Sequence, residues 1–329
     1  MKVHGLLFAG LAAMAVAGSA QAQDKTLAIV VKGLDNPFFE QINKGCQKWN
    51  GENKDSGYTC YYTGPASSTD EVGEVQIVED LLNRPDVKAI AISPSNAPLM
   101  ARMLRKQAPK IPIMTIDADL SADDAELRET YLGTDNYQMG VKFAEHLMKL
   151  KPDGGTVCLQ LGNVAADNIN QRAAGTRDTL SGEKGTDRLT GQGGWTEIDG
   201  CPVFTNDQAD LANQQMADTF TANPDLSAFM LIGGWAQFAP QAYAQVTDQV
   251  MEKLKSKDLV IVAGDTLPPQ MEALKNGRSH VQVGQRPFEM GYRAPDVMIE
   301  LIEGKTVDPI IYTGLDECTQ ENVDGCIGG

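Results

Sequence analysis

Short apolar runs and amphipathic stretches alternate along this chain with a regular beat. Residues 27–31 (Leu-Ala-Ile-Val-Val) form an unbroken apolar run of strand length, the mark of a strand covered on both faces. A helix is predicted over 37–49, with Pro37 in the first turn, where a missing N–H is tolerated. Strands at 58–62, 88–92, 111–116 and 130–133 then alternate with helices at 69–82 and 97–107. In the first of these helices Val72, Val75, Val78, Leu81 and Leu82 share one face. The pattern restarts with a helix over 137–150, whose stripe is Met139, Phe143, Leu147 and Leu150. Strands at 156–161, 201–204, 229–232, 259–263 and 281–283 follow, separated by helices at 170–180, 211–221, 237–255 and 268–276. A last helix over 288–303 contains Pro295, which costs about 3 kcal/mol in a straight helix, so a kink or break is expected there. The glycine-, threonine- and charge-rich segment 181–199 reads as a surface loop.

Strict alternation of strand and helix gives parallel sheets with helices on both faces. Two successive series predict an α/β fold of two doubly wound parallel-sheet lobes. Ligands in such sheets bind beyond the carboxyl ends of the strands, so the residues that follow each strand carry the candidate chemistry.

The N-terminus changes the picture of where the chain works. Lys2, the apolar stretch 5–17 and the small-x-small triplet Ala20-Gln21-Ala22 read as a secretory signal peptide over 1–22, with the mature chain starting at Gln23. Removing it leaves roughly 300 residues, too many for one ordinary core and comfortable for two lobes. No later segment is long and apolar enough for a membrane span. The 44 acidic residues against 28 basic ones give a net charge of −16, which argues against nucleic acid or anionic lipid as partner. Six cysteines in an exported chain are expected to form disulfides. Their positions suggest local pairing, though spacing alone does not choose a connectivity. No C-x-x-C pair occurs and only three histidines are present, so no metal site is expected.

Strand ends carry Lys32-Gly-Leu-Asp-Asn36-Pro37-Phe38-Phe39, Ile116-Asp117-Ala118-Asp119, Ile232-Gly233-Gly234-Trp235, Gly264-Asp265 and Gly284-Gln285. In combination these motifs resemble the type I periplasmic sugar-binding proteins of ABC transporters, especially the ribose-binding branch, over about residues 27–315. The resemblance implies a ligand held between two lobes joined by a three-segment hinge. By it, Asn36 hydrogen-bonds a hydroxyl, Phe38 and Phe39 pack on the ring, Asp117 and Asp265 accept from paired hydroxyls, and Gln285 contacts the ligand at a crossover. Adjacent helix positions point about 100° apart, so one of the two phenylalanines is expected in the core. The departures imply a ligand other than ribose held in the usual way. Ala118 and Asn170 stand where ribose binders carry arginine, Asn206 where they carry an aromatic ring, and Gly233 where they carry asparagine. Trp235 is a candidate stacking wall, and Asn170 either touches ligand or caps its helix. Asp119 joins Asp117 if strand alternation continues past the strand end. Lys32 reads as a rim residue; it and Arg172 are the cations available to an acidic sugar.

The expected division is 23–133 plus 286–313 for the first lobe and 134–285 plus 314–329 for the second. The expected function is that of a periplasmic, monomeric solute-binding protein that passes a monosaccharide or polyol to an inner-membrane ABC permease, with no cofactor and no catalytic residue. A sensory or chemotaxis receptor, and a secreted carbohydrate-active enzyme built on Asp117 and Asp265, are the alternatives. The enzyme needs one carboxyl held protonated near neutral pH. A repressor of the related DNA-binding family is disfavoured by the signal peptide and the charge.

Overall fold

The computed structural model describes residues 25–326, so the expected signal peptide and its cleavage site lie outside the described residues. Among the described residues, thirteen strands appear in chain order: β1 Lys25–Val30, β2 Tyr58–Thr63, β3 Val87–Ile92, β4 Ile113–Ile116, β5 Tyr131–Gly133, β6 Gly155–Leu161, β7 Trp195–Glu197, β8 Val203–Phe204, β9 Ala228–Leu231, β10 Val260–Gly264, β11 Val281–Gly284, β12 Ile310–Tyr312 and β13 Asp316–Thr319. They form two sheets. The first runs β12-β5-β4-β3-β1-β2, and every pairing in it is parallel. The second runs β13-β11-β10-β9-β6-β7, with β8 pairing the far end of β6.

The unbroken apolar runs sit where the sequence pattern places them. Leu27 to Val30 and Val260 to Ala263 are buried on both faces, because helices cover both sides of each sheet. One strand departs from the expected parallel order: β13 pairs β11 antiparallel. It closes the second sheet's edge after the chain has left the first sheet through β12. The chain thus passes between the sheets three times, after β5, after β11 and after β12. The crossings are tied to one another: Thr134 Oγ1 donates to Gln285 Oε1 at 2.8 Å, and Thr313 N donates to Gly133 O at 2.7 Å.

Helix Asn136–Leu150 and helix Asp167–Ser181 approach backbone to backbone. A Cβ at Gly140 would lie 2.1 Å from Arg172 O, and one at Gly175 would lie 2.1 Å from Tyr137 O. Glycine at both points permits the contact, which seats Arg172 deep in the molecule with 2% exposure.

Three local expectations are revised. The helix expected over 237–255 is a 3₁₀ turn, Trp235–Phe238, followed by helices Pro240–Asp248 and Met251–Ser256. Pro240 keeps Ala239 out of helical geometry, which ends the turn. Helix Pro287–Ile302 runs through Pro295 without a break. Its packing on helix Pro37–Glu52 holds it there, with Trp49 Nε1 donating to Asp296 Oδ1 at 2.7 Å beside the proline. The segment 181–199 is more than a surface loop. It contributes β7, with Trp195 fully buried and Glu197 held by Arg177 through two hydrogen bonds. Disulfides join Cys46 to Cys60, Cys158 to Cys201 and Cys318 to Cys326. Among the described residues, no helix is long and apolar enough to cross a membrane.

Candidate functional site

The carboxyl ends of both sheets face one crevice, and the chain leaves several strands there through left-handed turns. Asp117 after β4 has φ 64°, Asp207 beyond β8 has φ 62° and Asp265 after β10 has φ 69°. Asp is one of the few residues with a side chain that tolerates this geometry. All three line one cavity in that crevice.

Seven of the residues expected at the site are brought together around that cavity. They are Asn36, Phe38, Phe39, Asp117, Trp235, Asp265 and Gln285. Asn36 also caps helix Pro37–Glu52, its Oδ1 accepting from Phe38 N at 2.9 Å, so helix start and cavity wall are set together. Both phenylalanines line the cavity and both also pack into the first lobe's core, where the sequence expectation placed one. They meet edge to face, with ring centroids 5.4 Å apart and planes at 87°. The indole of Trp235 lies over glycines on the second lobe: a Cβ at Gly162 or at Gly233 would sit 2.6 Å from its ring.

The carboxylates are held by fixed donors. Ser93 Oγ donates to Asp117 Oδ2 at 2.7 Å, and Lys32 Nζ lies 3.9 Å from the same oxygen. Gln285 Nε2 donates to Asp265 Oδ1 at 2.9 Å, while Gln285 Oε1 accepts from Thr134 in the first crossing. Burial pushes the Asp265 carboxyl above its usual range, opposed by the Arg172 guanidinium and the Gln285 hydrogen bond.

Two expected residues stand outside the cavity. Asp119 does not follow Asp117 into it, because the left-handed turn at Asp117 ends the strand alternation. Its carboxylate accepts from Thr115 Oγ1 at 2.6 Å and pairs with Arg128. Asn170 lies on the outer side of its helix, where its Nδ2 donates to Val164 O at 3.0 Å. The same helix presents Asn168 and Arg172, one turn apart, to the crevice.

Asn168, Asp207 and Phe238 line the crevice unexpectedly, and Lys32 and Arg172, expected only as cations for an acidic sugar, line it too. Lys32 is no rim group: at 3% exposure it reaches from the first lobe to Asn168 Oδ1 of the second, 3.2 Å away. Arg172 has Nε on Asn136 Oδ1 at 2.8 Å and Nη1 on Ile232 O at 3.3 Å, leaving a buried Nη2 without a partner. Phe238 adds a fourth aromatic wall and Asp207 a third carboxylate. The lobes also touch at the crevice lip, where Ala97 N donates to Ala165 O at 3.3 Å and Asn163 Nδ2 to Glu71 Oε1. Among the described residues, no group of three His, Cys, Asp or Glu side chains is placed to hold a metal ion.

Carboxylates and a guanidinium set among aromatic faces suit a molecule with a polar edge and C–H faces. Known proteins share this fold. The ribose import binding protein of Salmonella typhimurium is 23% identical over 308 residues, 93% of this chain and 94% of that protein. The D-allose-binding periplasmic protein of Escherichia coli is 23% identical over 290 residues, 86% of each. Among solved structures, an ABC transporter solute-binding protein from Agrobacterium vitis with bound D-fucose superposes with a TM-score of 0.79. It is 24% identical, over 91% of this chain and 97% of that one. A Burkholderia graminis solute-binding protein in complex with D-arabinose superposes with a TM-score of 0.76. It is 28% identical, over 92% and 97%. The periplasmic binding protein domain matches residues 27–306, nearly the whole described chain, and on that match the chain belongs to the periplasmic binding protein family.

Proposed function

We propose that this protein captures a monosaccharide or related polyol between its two lobes in the periplasm and presents it to an ABC-transporter permease. One observation carries the reading: acidic strand ends and aromatic rings from both lobes converge on a single small cavity. The names of the relatives support the ligand class, since ribose, allose, fucose and arabinose are all neutral monosaccharides. Asp117 and Asp265 accept from ring hydroxyls through charge-assisted bonds, and Arg172 Nη2 donates to a ring or hydroxyl oxygen. Phe38, Phe39, Trp235 and Phe238 cover the C–H faces, and Asn36 and Gln285 complete the polar edge.

The three crossings act as the hinge, so 23–133 plus 286–313 move against 134–285 plus 314–329 as the crevice opens and closes. The closed form, as a monomer, is what the permease meets. No covalent step is needed. A monosaccharide of about twelve heavy atoms has enough contact for micromolar or tighter binding.

A thermal-shift screen against D-ribose, D-allose, D-arabinose, D-fucose and myo-inositol, followed by calorimetry on each hit, tests the reading. A bound sugar raises the melting midpoint through linkage. No shift with any neutral sugar or polyol, alongside a shift with an unrelated solute class, ends the proposal.

A further inference from the structure

The carboxylate of Asp207 is placed differently from the other two. Asp117 and Asp265 both accept side-chain hydrogen bonds at the cavity, whereas Asp207 Oδ1 is buried with no hydrogen-bond partner, and burial pushes its carboxyl up against the pull of Lys32 and the Asn163 backbone N–H. A buried carboxylate oxygen without a donor is costly and needs a reason. The backbone holds it there at further cost: Asn206 and Asp207 are consecutive non-glycine residues in left-handed conformation, with φ 48° and 62°. Space is left for it as well. A Cβ at Gly162 would come within 2.2 Å of Asp207 Oδ1, so that glycine lets carboxylate and Trp235 indole lie side by side.

The donor missing at Asp207 Oδ1 has a counterpart in the acceptor missing at Arg172 Nη2. Both groups line the same cavity, and both belong to the second lobe. An aliphatic hydroxyl donates one hydrogen bond and accepts others, so hydroxyls on one sugar edge satisfy both. An apolar substituent satisfies neither, and an anionic one would oppose three carboxylates.

We infer that Asp207 is a specificity-determining residue, which selects for a hydroxyl on the ligand carbon that faces the second lobe. The inference rests on the proposed sugar-binding function. It makes the second lobe read the ligand's polar edge one residue beyond Asn206, which stands where ribose binders carry an aromatic ring. A 6-deoxy or other deoxygenated carbon at that point of the ring is rejected, and the hydroxylated sugar is kept.

The test uses whichever of D-ribose, D-allose, D-arabinose and D-fucose binds the wild type, together with its monodeoxy derivatives. Calorimetry is run on the wild type, Asp207→Asn and Asp207→Gly. Both replacements tolerate the left-handed backbone, and the ligand-free melting temperature serves as the folding control. Asp207→Asn is expected to weaken the parent sugar by about tenfold to a hundredfold, the range for a hydrogen bond to a charged group. One monodeoxy derivative is expected to lose that factor on the wild type and little or nothing on the variants. The other derivatives keep the same ratio on all three proteins. Unchanged affinity in Asp207→Asn overturns the inference. So does a loss shared equally by every derivative, which makes Asp207 only a counter-charge for Lys32, as does failure of both variants to fold. If no sugar of the set binds the wild type, the sugar-binding proposal itself fails, and this inference with it.

Discussion

Glu74 offers a pH experiment whose sign and size follow from its surroundings. It lies in helix Glu71–Leu82 with 1% exposure, its Oε2 accepting from Ser95 N at 2.9 Å and from Ser95 Oγ. Its Oε1 is buried with no partner. Burial pushes the carboxyl from 4.5 up to about 7, against the pull of the Ser95 hydrogen bonds and of Lys32. Between those two values the folded protein holds a proton that the unfolded chain releases. Stability from this group is therefore highest below pH 4.5, declines as pH rises, and levels off above pH 7. The span corresponds to about 3 kcal/mol, at about 1.4 kcal/mol per tenfold in proton affinity. Glu74→Gln copies the protonated form, so the variant is expected to match the wild type at pH 4.5 and to exceed it by about 3 kcal/mol at pH 8. For a chain of this size that is roughly 5 °C in melting temperature. Scanning calorimetry of both proteins at the two pH values measures it. Other carboxyls cancel in the comparison, so a difference that is the same at both pH values refutes the reasoning.

Asp117→Asn and Asp265→Asn are each expected to weaken sugar binding tenfold or more with the far-ultraviolet circular dichroism unchanged; unaltered calorimetric affinity removes that residue from the site. Gly162→Ala drives a methyl group to within 2.2 Å of Asp207 Oδ1 and 2.6 Å of the Trp235 ring. It is expected to abolish binding and to lower stability by about 1–3 kcal/mol, read by calorimetry and denaturant titration. Replacing both cysteines of the Cys158–Cys201 pair, which spans 43 residues, is expected to cost about 4 kcal/mol by loop entropy. The Cys46–Cys60 pair, spanning 14, is expected to cost about 3. Urea unfolding of the two double serine variants checks the order, and a larger loss for the shorter loop contradicts it.

The fold was legible because its signals are strong and repeated. Apolar runs such as Leu27 to Val31 occur only where helices cover both faces of a sheet, and the restart after β5 marks a second lobe. Asp117, Asp265 and Gln285 were legible because a strand end in such a sheet faces the crevice. Asp119 was misplaced because alternation was extended past a residue at φ 64°, which no sequence pattern reveals. The family resemblance points to Asn170 over its neighbours. The observed helix, begun at Asp167, places Asn168 and Arg172 on one face and Asn170 away from it, whereas a helix starting at 170 leaves Asn168 out. Trp235 and Phe238 share the cavity because a 3₁₀ turn brings positions three apart into line, whereas the helix was expected to begin only at Gln237. Asp207 follows a strand of two residues, too short for any periodic signal.

The left-handed turns under Asp117, Asp207 and Asp265 restrict how this receptor can be retargeted. Glycine and asparagine fit those backbones and β-branched residues do not, so the three acidic positions have a narrow set of viable replacements. Positions with ordinary backbone geometry are freer, notably Lys32, Asn168 and Trp235. Engineered libraries, and natural divergence toward other solutes, will find new specificity first at those side chains, around an acidic frame that the main chain keeps in place.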